Sequence, residues 1–112
     1  MSPVNRREKQ LRKLFDAERE LRKTTLARLL DVSAGHDTMF FFTSSRWSSP
    51  NGAEILRKAH ELRRCAEALG EQTPLATDII NAFQHANDES DHQRLGPIRL
   101  AETLLRRIEN NS

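Results

Sequence analysis

Residues 4 to 30 put Val4, Leu11, Leu14, Phe15, Leu21, Leu26, Leu29 and Leu30 on one side of a rod with 3.6 residues per turn. That spacing constrains the chain more than any other feature. It predicts a helix opening near Pro3 or Asn5, where Asn5 and Glu8 have the spacing of a capping box, and closing at Gly35. Such a helix is about 40 Å long at 1.5 Å per residue. For a chain of 112 residues this is long. Its N-terminal part is therefore expected to project beyond the body or to pair with another chain.

Three shorter helices follow. The second starts at Ser49-Pro50 or Asn51, with Asn51 and Glu54 repeating the capping spacing. It buries Ile55, Leu56, Ala59, Leu62, Ala66 and Leu69, and it stops at Gly70. The third starts at Thr73-Pro74, where a proline costs nothing because its missing N–H has no partner in the first turn. Its inner face is Leu75, Ala76, Ile79, Ile80, Phe83 and Ala86. A polar turn, NDESDHQ, comes next, with a short capped turn ended by Gly96-Pro97. The last helix runs from Pro97 to about Asn110 on Ile98, Ala101, Leu104, Leu105 and Ile108. No segment alternates apolar and polar residues long enough for a sheet. Fourteen leucines and eleven alanines against seven valines and isoleucines favour helix in the same way. The expected architecture is all-α, a small bundle of about four helices in one domain, 1–112. Within it, 1–35 is a long basic helix, 36–50 an aromatic-rich connector and 51–110 a three-helix region.

Charge is unevenly placed although the net charge is only +2. Residues 1–30 hold nine Lys or Arg against four acids, and residues 71–93 hold five acids and no Lys or Arg. This asymmetry can steer an anionic partner to one end, or let the two ends attract each other within one fold or between copies. The basic residues Arg6, Arg7, Lys9, Arg12 and Lys13 are the candidate nucleic-acid contacts, through phosphates and without sequence preference. The plainer alternative is a solvated helix face, with Glu8–Arg12 and Glu18–Arg22 spaced as i,i+4 pairs.

The connector is peculiar in its rings. Four of the six aromatic residues, Phe40, Phe41, Phe42 and Trp47, fall within eight positions. Three consecutive phenylalanines cannot face one way in a helix or in a strand. Burying each ring is worth roughly 1.5–3 kcal/mol, so the span is sealed inside or shared with a neighbour. Two roles follow: a plug across the open end of the bundle, and a contact surface in which Phe40, Phe41, Phe42, Arg46 and Trp47 bind a partner protein. They are compatible. Membrane insertion is less well supported, since flanking lysines are missing.

The stretch TLARLLDVSAGHDT, residues 25–38, resembles part of a DNA-binding helix-turn-helix: Leu26, Ala27, Leu30, Val32 and Ser33 match in order. The resemblance implies a recognition helix after the turn. Asp31 stands where that motif has glycine, Asp37 where it buries an apolar residue, and Gly35 with the Met-Phe run offers few groups to read bases. The end of a leucine-rich helix explains the same residues.

His85, Asp88, Glu89, Asp91 and His92 cluster near the polar turn, but their spacing matches no ligand motif, so no metal is expected. Cys65 lies at the rim of the second helix's stripe and reads as structural. As the sole cysteine it leaves no internal disulfide and fits a reducing cytoplasm. No apolar run is long enough to span a membrane, and the N-terminus lacks the apolar segment of a secretory signal. The glycines are scattered rather than gathered in a phosphate loop, and no nucleophile elbow appears. The expectation is a small cytoplasmic, non-catalytic adaptor or regulator without a cofactor. It binds another protein or itself as a homodimer; the alternative is a nucleic-acid-binding protein using the basic helix.

Overall fold

The computed structural model describes the backbone of residues 3–41, 49–87 and 89–110, and the side chains of 6–41, 49–85 and 96–110. Four helices follow in order: α1 (Pro3–Ser33), α2 (Pro50–Ala68), α3 (Pro74–Asn87) and α4 (Glu89–Asn110). Among the described residues there is no strand, so the chain is an all-α bundle.

The helix ends form where backbone chemistry allows. Both α1 and α2 stop in the same hydrogen-bond pattern. At α1, Gly35 N–H donates to Val32 O (3.0 Å) and His36 N–H to Asp31 O (2.9 Å). At α2, Gly70 N–H donates to Glu67 O (3.1 Å) and Glu71 N–H to Ala66 O (2.8 Å). These paired bonds use up carbonyls that a helix end leaves free, and they need a residue with positive φ, here Gly35 (91°) and Gly70 (72°). α2 starts at Ser49, whose hydroxyl accepts from Asn51 N–H at 3.2 Å, with Pro50 in the first turn. Asn51 is therefore inside the helix and not its cap. α4 begins earlier than expected, at Glu89, because much of the polar turn is itself helical. The helical path breaks at Gly96 (φ 74°, ψ 164°), and Pro97 opens the packed second piece.

α1 packs on α2 and α4, and α3 packs on the same two, which closes a ring of four. Neighbours run antiparallel: Arg7, near the start of α1, reaches the end of α2, and Asp78, in α3's second turn, lies 3.9 Å from Arg107 near the end of α4. The molecule measures 53 × 26 × 21 Å, and its long axis is close to the roughly 46 Å expected of a 31-residue helix. Residues 6–10 are all exposed, and among the described side chains of α1 Leu14 is the first that is buried.

One core runs through all four helices and takes in Leu29, Val32, Ile55, Ile79, Phe83, Leu104 and Ile108. On α1 the buried stripe is Leu14, Leu21, Thr25, Leu29 and Val32. The expected stripe is therefore corrected at two places. Phe15 (54% exposed) and Leu30 (58%) each follow a buried leucine by one residue, and a step of 100° turns them off the core face. Ile98, 39% exposed, is likewise not an inward residue of α4.

The described part of the connector, residues 36–41 and 49, packs where α1 ends and α2 begins. Its base is closed by Ser49, whose hydroxyl donates to Asp37 Oδ2 (2.9 Å) and whose N–H donates to Met39 O (3.3 Å). Asp37 has φ 53°, an uncommon conformation that this bond helps to hold. Residues 34–41 form turns, not a second helix, so the helix-turn-helix resemblance ends with α1. Phe40 and Phe41 point inward beside Phe83, with ring centroids 5.0–5.4 Å apart. The Phe40 carbonyl lies directly on Gly52 in the first turn of α2.

Candidate functional site

An open cleft lies between α1 and α2. It is a cleft of about 630 Å³, within the range of ligand-sized sites. Its floor is Leu14, Leu21 and Leu62, all about 95% buried. The walls are low because the residues facing outward there are small: Ala17 on α1, Cys65 and Ala68 on α2. Charged side chains stand on the rims, Lys13 and Glu20 on α1 and Lys58 and Glu61 on α2.

The two rims differ electrostatically. On α2, Lys58 Nζ lies 3.5 Å from Glu54, and Glu61 accepts from Arg57 at 2.7 Å, so both are paired within their own helix. On α1, neither Lys13 nor Glu20 has an ion pair or hydrogen bond among the described residues. The lower end of the cleft is tied shut by Arg7, which donates to the Leu69 carbonyl at 2.9 Å and lies 3.7 Å from Glu71. A guanidinium at a helix C-terminus meets the negative end of the helix dipole. Here one residue of the basic first segment, Arg7, meets the first acid of the 71–93 stretch, Glu71.

A second, smaller cleft of about 200 Å³ lies among Glu18, Arg22, Leu75, Asp78 and Ile108. Arg22 donates to Glu18 at 3.3 Å. Arg22 Nε and the wholly buried Thr25 Oγ1 find no hydrogen-bond partner among the described residues.

The residues singled out from sequence fall in different places. Phe40 and Phe41 are interior, at most 1% exposed, and neither ring is open to a partner in this conformation. Phe42, Arg46 and Trp47 lie outside the described residues. Arg6, Arg7, Lys9, Arg12 and Lys13 are all exposed on α1; Lys13 belongs to the cleft and Arg7 to the α2 terminus. His85 is exposed near the end of α3, while the side chains of Asp88, Glu89, Asp91 and His92 lie outside the described residues. Among the described residues, no three His, Cys, Asp or Glu side chains group closely enough to hold a metal ion, and no helix is long and apolar enough to cross a membrane. Cys65 is exposed, a free thiol on the cleft wall.

The sequence reading missed the cleft. A signal was present: alanine and cysteine at positions just outside the apolar stripes of two helices. It becomes a site only once those helices are known to be neighbours. Compared with models of protein families, with curated proteins and with solved structures, the chain has no match.

Proposed function

We propose that the protein is a non-catalytic adaptor or regulator that works by holding another polypeptide against the α1–α2 face. The cleft carries this reading. It is long and open, has an apolar floor and small walls, and keeps its charges at the rim, the layout of a groove that receives a helix. Measured along α1 from Gln10 to Thr24 it extends about 21 Å, close to four helical turns. The connector's contribution narrows to Phe42, Arg46 and Trp47, since Phe40 and Phe41 are occupied inside. A single cysteine left as an exposed thiol fits a reducing cytoplasm.

The test is photocrosslinking. A photoreactive amino acid at Ala17 or Ala68 should yield a discrete protein adduct in cells, and the same group at exposed Glu102 on α4 should not. Equal labelling from all three positions would remove the cleft from the account. The second reading, nucleic-acid binding, draws on the exposure of Arg6, Lys9 and Arg12 along one helix end. It requires a gel shift whose affinity falls steeply with salt and that Arg12→Glu weakens.

A further inference from the structure

The α1 rim of the cleft carries a cation and an anion, each unpaired among the described residues, in a fixed order. Lys13 and Glu20 are seven residues apart, two helical turns or about 10.5 Å, and so share a face. Ala17 lies between them, a small side chain on the cleft wall. We infer that the partner of this face is a second copy of this chain, docked cleft to cleft with α1 antiparallel to α1 so that Lys13 of each copy faces Glu20 of the other. This rests on reading the cleft as a protein-binding surface.

A two-fold axis crossing α1 beside Ala17 exchanges position 13 with position 20. It also brings Gln10 to within about one residue, or 1.5 Å of rise, of Thr24, so the two polar ends of the α1 wall meet each other. The α2 wall runs from Lys58 to Leu69, and its midpoint falls between Leu62 and Cys65. The same axis therefore brings small and apolar side chains together at the centre of the α2 wall. Lys58 and Glu61 each have a partner of opposite charge on their own helix, Glu54 and Arg57. Direction is then set by α1 alone. The parallel arrangement would place Lys13 against Lys13 and Glu20 against Glu20, and like charges brought together at an interface are costly. Self-complementarity about an axis is what a two-fold homodimer requires of a surface. Ala17, Cys65 and Ala68 let the helices approach closely.

Two helices side by side, about 20 Å wide over 21 Å of length, give a face of roughly 400 Å² per copy. That is below the roughly 800 Å² per partner of a standard interface, so association is expected to be weak and concentration-dependent.

Sedimentation velocity on the full chain, from low to high micromolar, should show a reversible monomer–dimer equilibrium. Glu20→Lys alone and Lys13→Glu alone each create like-charge contacts twice per dimer and should weaken association about tenfold or more. The combined Lys13→Glu/Glu20→Lys variant should recover it to within a few-fold of wild type. Both positions are exposed at the cleft rim, and unchanged far-UV circular dichroism checks that the fold is kept. Direction is read separately. In a Cys65→Ser background, Lys13→Cys and Glu20→Cys chains mixed under mild oxidant should form a heterodisulfide, and neither alone should form its homodisulfide efficiently. A chain that stays monomeric, a double reversal that fails to rescue, or dominant homodisulfides would overturn the inference. A monomer whose Ala17 photocrosslinks to a different protein overturns self-association but leaves the protein-binding reading standing. A monomer with no cleft adduct ends both.

Discussion

Gly52 sits where α2 begins, and the carbonyl of Phe40 presses on it. A methyl group built there would overlap the Phe40 carbonyl oxygen, lie 2.8 Å from its carbonyl carbon and 3.2 Å from its Cα. All three atoms are backbone, so no side chain can rotate away. Either the first turn of α2 or the connector must move by more than about 1 Å to restore van der Waals separation. Movement is costly here because Phe40 and Phe41 are at most 1% exposed and packed on Phe83. Forcing extra volume into such packing costs about 1–3 kcal/mol, and more when backbone has to shift. Against this, alanine is better than glycine in a helix by about 1 kcal/mol. The net expectation for Gly52→Ala is a loss of about 2 kcal/mol, or roughly 10 °C in melting temperature for a domain of this size. Urea unfolding followed by circular dichroism measures it. Ala53→Gly, one residue along at an exposed position, is the matched control and should lose only about 1 kcal/mol. If Gly52→Ala is as stable as wild type or more so, the connector does not lie against α2 as described, and the sealing of its rings loses its support.

The same region yields two further expectations. Phe41→Ala should cost about 3–5 kcal/mol in urea unfolding, because it empties a ring-sized volume between Phe40 and Phe83. Ser49→Ala removes both the cap of α2 and the bond to Asp37, and a loss of about 1–2 kcal/mol is expected. Adding Asp37→Gly, which suits the positive φ at that position, should recover part of this loss in the same assay. Thr25→Val should stabilise by about 1 kcal/mol, since the buried hydroxyl has no hydrogen-bond partner among the described residues and valine keeps the shape; an unchanged or lower melting temperature would mean the hydroxyl is satisfied.

The helices themselves were legible in the chain. Pro50 and Pro74 stand in first turns, Gly35 and Gly70 just past last turns, and the apolar spacing between them has the period of a helix. These are local effects: capping, backbone sterics and periodicity act within a few residues, and they appear in sequence wherever they act. Even so, the capping-box spacing of Asn51 and Glu54 pointed to the wrong residue: Ser49 caps α2, and its hydroxyl also bonds Asp37, twelve residues earlier.

What the chain alone determined is thus an all-α protein with a long first helix and rings too numerous for an open linker. Tertiary structure decided the rest. It chose which side of each stripe is covered, leaving Phe15 and Leu30 out and taking Thr25 in. It drew Phe40 and Phe41 against Phe83, more than forty residues away. It also made a cleft from Ala17, Cys65 and Ala68, three small residues on two helices. The physical reason is that a helix reports its own period in its sequence, but not which neighbour fills the space beside it. That depends on the volumes of side chains distant along the chain and on the antiparallel meeting of helix ends, such as Arg7 with the last turn of α2.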